Sequence, residues 1–351
     1  MSSTSTIAAT PIVATAPAEM EEAYMEYRRA CYNVIYQHAL ERGLIAKLES
    51  PKTAEEISKE MGFLPERLKT LELFLKALAR FGALTITPGP PALYQAAPGV
   101  ADTPVEFDRG LLARAIGFDK VEVLIHSKNY AGIIDTLYEE ENRVAADFGD
   151  DNVKLWNEFL QAPFYTYCRE QAVKAITSPG ARVLDLASGP GFGLLELSRE
   201  VGAEGVVVGA EISRTFVGES ARRVEQSPNI RVFQCNLDEG FPFLAAGFFD
   251  GAMIVGAYHF IKNRDLLFEH VARVLKPGGK FCIAYVFSKL GSYDQELMDL
   301  RFHLRQPPSN PPTRSEVETT AARHGFSLSS EEFTMGCFGW YLLVRETQQV
   351  N

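Results

Sequence analysis

The sequence predicts an α/β chain in two parts, a mostly helical N-terminal half and a C-terminal doubly wound sheet, and three observations carry that prediction. After residue 180, apolar β-branched runs alternate with amphipathic stretches, the rhythm of a parallel sheet with helices on both faces. At the start of that region, VLDLASGPGFG (residues 183–193) crowds three glycines and a proline behind an apolar run carrying one acid, Asp185. Ahead of it, apolar residues recur at three- and four-residue spacings from Met20 onward, the period of amphipathic helices.

Taken in order, the first eighteen residues hold no Lys or Arg. A secretory signal or an organelle transit peptide needs that positive charge, so residues 1–19 are expected to form a disordered tail. Tyr24, Ala30, Val34, Ile35 and Ala39 then mark one apolar helical face. Thr53 followed by Glu56 is a capping box for a short helix, which Gly62 ends. Pro65 suits the first turn of the next helix, whose stripe is Leu71, Leu73, Leu75, Leu78 and Ala79. GALTITPGPPALYQA reads as two short strands about a Gly/Pro turn. Helix, turn, helix and hairpin together make a winged helix over 20–104. Residues 105–178 read as mostly helical, with NVKLWNEFLQAPFYTYCREQAVKAI the clearest piece. Residues 179–351 form the sheet domain, interrupted by SKLGSYDQELMDLRFHLRQPPSNPPTRSE and closed by a hairpin-like EEFTMGCFGWYLLVRE.

Composition narrows the function classes. A net charge of −10 over 351 residues disfavours nucleic acid or an anionic membrane as main partner, since both reward positive surface. The five cysteines are dispersed, with no C-x-x-C pair, which reads as reduced thiols in a cytoplasmic protein and not as a disulfide frame or metal site. No apolar run approaches the roughly 20 residues of a membrane span.

The glycine loop lies where doubly wound sheets bind ligands, beyond the carboxyl end of a strand. Its helix offers free N–H groups and a positive dipole end. A dinucleotide fingerprint would need a glycine at 194, where Leu194 stands, so NAD is disfavoured. Glu211 ends the second strand, in VVVGAEIS, where an acid grips ribose hydroxyls. QCNLDEGFPF ends the third with Asn236, Leu237 and Asp238, a side-chain amide and a backbone N–H suited to an adenine edge. Each residue also has a plain structural reading, as cap, strand end or turn.

With FFDGAMIVGAYHF and RVLKPGG following, the chain resembles the class I S-adenosylmethionine-dependent methyltransferases over residues 180–345. VLDLASGPG resembles their D-x-G-x-G-x-G loop, with Ala187 in place of the first glycine. The resemblance implies a Rossmann-like sheet and S-adenosyl-L-methionine as cofactor. Gly189 and Gly191, with Asp185, would hold its methionine portion, Glu211 its ribose, and Asn236 and Leu237 its adenine. Winged helix, helical connector and sheet together resemble the small-molecule O-methyltransferases, which dimerise through their N-terminal region; a homodimer is implied. The rival class is a non-enzymatic winged-helix regulator, but Lys69, Lys76 and Arg80 do not gather on one groove-reading face.

His259, in GAYHFIKN, resembles the base of the O-methyltransferases, although Phe260 replaces the aspartate that follows it there and AYVFSKLG holds no acid to orient it. It is read as base or as pocket residue. Tyr165 and Tyr167 are candidates to shield a cation or enclose a ring, with Trp156 and Phe159 assigned to core packing. Arg301 and Arg305, one helical turn apart, are candidates to clamp a carboxylate. A hydroxyl acceptor leads on family layout. Sulfur methylation of a small thioether acid, of the methylthio-hydroxybutyrate type, is the alternative, and carbon methylation of a pigment or keto acid is also open.

Overall fold

A seven-stranded sheet organises the C-terminal half, in the order β5-β4-β3-β6-β7-β9-β8. Its strands are β3 (Arg182–Leu186), β4 (Val206–Glu211), β5 (Ile230–Gln234), β6 (Phe249–Val255), β7 (Leu275–Val286), β8 (Phe326–Met335) and β9 (Phe338–Arg345). The computed structural model describes residues 17–99, 107–116, 132–140, 153–305 and 309–347. β3 through β7 run parallel, whereas β9 is antiparallel to both β7 and β8. The sheet is therefore mixed, not wholly parallel. A tight hairpin forces that exception, and it turns through Gly336 at φ 55°.

Helices α7 (Phe192–Val201), α8 (Arg214–Arg223), α9 (Arg264–Val274) and α11 (Arg314–Arg323) connect the strands. Two buried clusters fill the faces of the sheet. One runs from Leu184 to Leu343 through Phe268 and Phe281, the other from Ala172 to Ala284 through Leu194 and Leu197. β4 leaves β3 on one side and β6 lies on the other, so strand order reverses at the carboxyl end of β3. The glycine loop sits at that point.

In the N-terminal half α1 spans Pro17–Glu41, so the helix begins within the stretch 1–19 expected as a tail; residues 1–16 lie outside the described residues. α2 (Ala54–Met61) has both halves of the Thr53/Glu56 capping box and ends at Gly62 with φ 73°. Pro65 opens a 3₁₀ turn before α3 (Leu68–Arg80), which buries Leu71, Phe74, Leu75 and Leu78. Leu73 and Ala79 are only half-buried, because Phe74 and Ala77 share the inner face in their place. β1 (Leu84–Thr87) and β2 (Leu93–Ala96) pair antiparallel.

Of 105–178, the described parts are α4 (Arg109–Ile116), a helical turn at Ile133–Thr136, α5 (Val153–Phe159) and α6 (Pro163–Ile176). NVKLWNEFLQAPFYTYCREQAVKAI is thus two helices and not one. Pro163 takes the first helical position and Ala162 before it is extended, at φ −61° and ψ 141°, as a residue preceding proline prefers.

The interrupting segment forms α10 (Gln295–His303), which packs on α3. Arg80 reaches it, with Nε 2.9 Å from Glu296 Oε2 and Nη2 donating to Ser292 O at 2.8 Å. Asp294, wholly buried just before α10, accepts from Tyr24 Oη (2.7 Å), Arg28 Nε (3.2 Å), Ser292 Oγ (2.7 Å) and Cys337 N (3.0 Å). A buried carboxylate so fully engaged is costly to disturb. It fixes α10 to α1 and to the β8–β9 turn. All five cysteines are free and buried. No helix among the described residues is long and apolar enough to cross a membrane.

Candidate active site

The site is built from the glycine loop outward. Gly191 stands at φ 92°, and a Cβ there would lie 2.8 Å from Ser220 Cβ, so only glycine fits. Gly193 is equally confined: a Cβ would lie 2.7 Å from Asp185 Oδ2 and 2.9 Å from Met253 Cε. Gly189, at φ 56°, meets nothing nearer than Leu160 Cδ1 at 3.9 Å. The space beside it is cavity, and bare backbone faces that cavity. Ala187, in place of the first glycine of the loop, is left-handed at φ 57°.

Glu211 is buried at the end of β4, and its carboxylate latches the loop. Oε2 accepts from Gly189 N and Oε1 from Ser213 N, each at 2.8 Å. Burial raises its pKa, while the N–H groups of Ser213, Gly189 and Ile212 pull it back. Burial also holds the Asp185 carboxyl well above the usual carboxylate range; the Arg169 guanidinium opposes this, and Glu196 and Glu211 add to it. Asp185, Arg169 and Tyr165 line a recess of about 60 Å³ behind the loop. Arg169 is held there from α6 by Glu196, with Nη2 to Oε1 at 2.7 Å, and by Leu160 O at 2.9 Å.

A cavity of about 370 Å³ opens on the other side of the loop, within the roughly 300–1,000 Å³ range of cofactor clefts. Glu211, Asn236 and Leu237 line it beside the apolar Trp156, Ile212 and Phe216. Trp156, expected in the core, packs partly buried against it and also lines the cavity, whereas Phe159 is fully buried in the core. Asn236 is turned to its own loop: Oδ1 accepts from Asp238 N (3.1 Å) and Nδ2 donates to Glu239 Oε1 (2.8 Å). Short amide side chains favour such local turns. Its neighbour Asp238 accepts from Lys262 N and Asn263 N at 2.8 and 2.9 Å, tying the β5 loop to the β6 loop.

Beyond β6, His259 lies buried on the 3₁₀ turn Tyr258–Phe260. Its ring stacks on Tyr285 (centroids 5.5 Å, 26°) and meets Phe302 edge-on (5.0 Å, 65°). Tyr285 Oη lies 2.5 Å from Tyr165 Oη and accepts from Arg301 Nη2 at 3.0 Å. Burial pushes the Tyr165 phenol well above its ordinary pKa, Tyr285 adding to the effect and Arg301 opposing it.

The structure therefore brings His259, Tyr165 and Arg301 together. Arg305 joins at the margin, its guanidinium 3.9 Å from the Phe302 centroid and 4.8 Å from that of Phe260. It lies past the end of α10, so it forms no pair with Arg301 on one helix face. Tyr167 does not join. Two residues on from Tyr165 it faces the other side of α6, near Glu332 and Thr334 of β8. Sequence reasoning missed Tyr285 and Arg169. Tyr285 stands in AYVFSKLG, where an acid was sought, and its place at a strand end was the available signal.

Residues 183–279 match a family model described as a methyltransferase domain. The ubiquinone/menaquinone biosynthesis C-methyltransferase UbiE of Geobacter sulfurreducens is 33% identical over 155 residues, which are 42% of this chain and 59% of that protein. The UbiE of Wigglesworthia glossinidia brevipalpis is 24% identical over 148 residues, 42% of this chain and 55% of that protein. The chain thus spans less than two thirds of these curated relatives. Among solved structures, the CurJ carbon methyltransferase covers 95% of this chain and 94% of its own at a TM-score of 0.68 and 14% identity. The DszA carbon methyltransferase gives the same coverage at a TM-score of 0.67 and 14% identity. Residues 183–279 are thus similar to a methyltransferase domain, and S-adenosylmethionine is the cofactor of such domains. The open space at Gly189 and the cleft edged by Glu211 fit it.

Proposed function

We propose that the chain is an S-adenosylmethionine-dependent methyltransferase that moves a methyl group to carbon of a small molecule. When bound, the cofactor supplies an electrophilic sulfonium methyl. Asp185, Gly189 and Gly191 would hold its amino-acid end, Glu211 its ribose, and Leu237 with the Asn236 loop its adenine. Enclosure by Trp156 and Phe216 excludes water from the transfer.

The observation that carries the choice of carbon is the His259–Tyr285–Tyr165–Arg301 cluster. A carbon acid needs a base for its proton and a donor for the oxygen that takes up the charge. His259 supplies the base. Tyr165, on the recess wall and backed through Tyr285 by Arg301, supplies the donor. In the balanced step the acceptor C–H proton passes to an imidazole nitrogen. The C–H electron pair forms the bond to methyl, and the S–CH₃ pair returns to sulfur. A hydroxyl acceptor needs only the base, and a thioether needs neither. Arg301, expected as a carboxylate clamp for a thioether acid, gives Nη2 to Tyr285 instead. The carbon methyltransferases among the relatives and whole-chain structural matches support the same choice, so the preference moves from hydroxyl to carbon. The reading includes a cytoplasmic homodimer formed through the N-terminal region, with no nucleic-acid partner.

The test is incubation with a carbon-13 methyl donor and fractionated acceptor pools. Mass spectrometry finds the product, and its methyl resonance tells C–CH₃ from O–CH₃ and S–CH₃. An O-methyl or sulfonium product overturns the carbon assignment. On the identified acceptor, His259→Ala should lose about 10²–10⁴ in kcat.

A further inference from the structure

The recess behind the glycine loop and the cleft beyond it share Leu160, Ala187, Gly189, Val255 and Gly256 as walls. A cofactor with its amino-acid end in the first and its nucleoside in the second crosses between Gly189 and Leu160. The structure leaves little room at that crossing. A Cβ on Gly189 would already touch Leu160 Cδ1, at 3.9 Å. A ligand atom stands farther out than a bonded carbon, about 3.5–4.0 Å from the backbone it touches. On that line it fits only once Leu160 has moved.

Leu160 belongs to the turn between α5 and α6, and two arginines hold that turn onto the loop. Arg169 donates from Nη1 to Leu160 O at 2.9 Å. Arg223, the last residue of α8, donates from Nε to Pro190 O in the loop at 2.7 Å and from Nη2 to Asn157 Oδ1 on α5 at 3.0 Å. Glu219 Oε1 lies 3.4 Å from the same Nη2, and the Glu219 carboxylate also meets the Asn157 side chain. The Phe192 ring centroid lies 3.9 Å from the guanidinium carbon. The Arg223 side chain keeps 22% of its surface in water, so its bond to Asn157 can break and re-form at little net cost. Lids held in this way sequester a site and set the pace of ligand exchange. We propose that the α5–α6 turn is the gate of the cofactor cleft, and that Arg223 is the positioning residue that latches it through Asn157 onto the glycine loop. Entry of S-adenosylmethionine and release of its demethylated product both wait on that latch. This rests on the reading of the cleft as the cofactor site.

The test follows S-adenosylmethionine and S-adenosylhomocysteine binding to the full-length chain by stopped-flow fluorescence, with Trp156 in the cleft wall as reporter. Asn157→Ala cuts the latch on the α5 side and leaves Arg223 its bond to the loop. A gate slows passage in both directions, so association and dissociation rates should both rise about fivefold or more while Kd stays within about threefold. Damage to the binding surface would raise dissociation alone, and Kd with it. That result, or unchanged rates, overturns the proposal. Arg223→Met should also speed exchange, and adding Asn157→Ala to it should gain nothing further, because the two act through one bond. Additive gains would show that they do not. Leu160→Ala opens the crossing with the latch intact, and its association rate should rise; an unchanged rate means that Leu160 does not stand in the path, and the gate falls. If calorimetry finds that the wild-type chain binds neither ligand, the cofactor reading itself falls, a result distinct from any change in rates.

Discussion

The cofactor half and the acceptor half of this site are built by opposite means. The first is backbone: Ala187 to Gly193 make one turn, and Glu211 latches it through main-chain N–H groups. The second is side chain, assembled from α6, the turn after β6, the end of β7 and α10, across gaps of up to 120 residues between hydrogen-bonded partners. Backbone sites depend on what a residue lacks, and side-chain sites on what it carries. The halves should therefore fail differently under substitution.

The largest effect is expected at Gly191. In Gly191→Val a branched side chain would meet Ser220 at a left-handed backbone position, so the loop must move. Calorimetry should find S-adenosylmethionine binding weakened by more than about 100-fold, or nearly 3 kcal/mol. Arg301→Leu makes the contrast. Cofactor Kd should stay within about twofold, because Arg301 Nη2 meets Tyr285 on the acceptor side and not the glycine loop, while kcat falls at least about tenfold. Equal loss of cofactor affinity in both variants would erase the distinction between the halves.

Asp185 sharpens it further. Its folded-state pKa is raised by burial, so its contribution to stability is full below the unfolded value of about 3.9 and is lost as pH rises through the folded value. The cofactor-free protein should lose stability over that rise. Asp185→Asn should flatten the slope and raise Tm at neutral pH while weakening the cofactor, a cost of function borne in the fold. Thermal melts across pH decide it; an unchanged slope would mean another group controls the trend. Next in size is Glu211→Gln, which sets an amide N–H₂ against one of two backbone donors. A loss of roughly 1.5–3 kcal/mol in cofactor binding is expected.

The same contrast explains what was legible in the sequence. A backbone site leaves its mark in consecutive letters: three glycines after an apolar strand, and an acid at the next strand's end. The alternation of strands and helices read correctly for the same reason, since period and punctuation are local. Tyr285 left no such mark, because the tyrosine of AYV gains its role only when α10 brings Arg301 and α6 brings Tyr165. Tyr167 was misassigned on the same ground. Spacing placed it near Tyr165 in the chain, while the helix turned it to β8. The mixed sheet was half-legible: a closing hairpin was read, but nothing local showed that β9 would insert between β7 and β8.

The smallest effect is expected at Ala187, and it tests how far the cofactor half is backbone alone. Most side chains avoid φ 57°, a strain of about 1–2 kcal/mol that Ala187→Gly would relieve. Two terms oppose the gain. Glycine widens the unfolded ensemble, at about 0.4–1 kcal/mol. The alanine methyl also packs partly buried against the core behind the loop, and removing it costs up to about 0.8 kcal/mol. The sum is near zero, so urea unfolding should place Ala187→Gly within about 0.5 kcal/mol of wild type. Ala187 lines both the cleft and the recess, yet one methyl leaves room for the ligand, and cofactor Kd should change by no more than about twofold. A destabilisation above 1 kcal/mol would show the methyl to be a structural part of the loop. A large gain in affinity would show that the alanine holds the site back from the full glycine pattern.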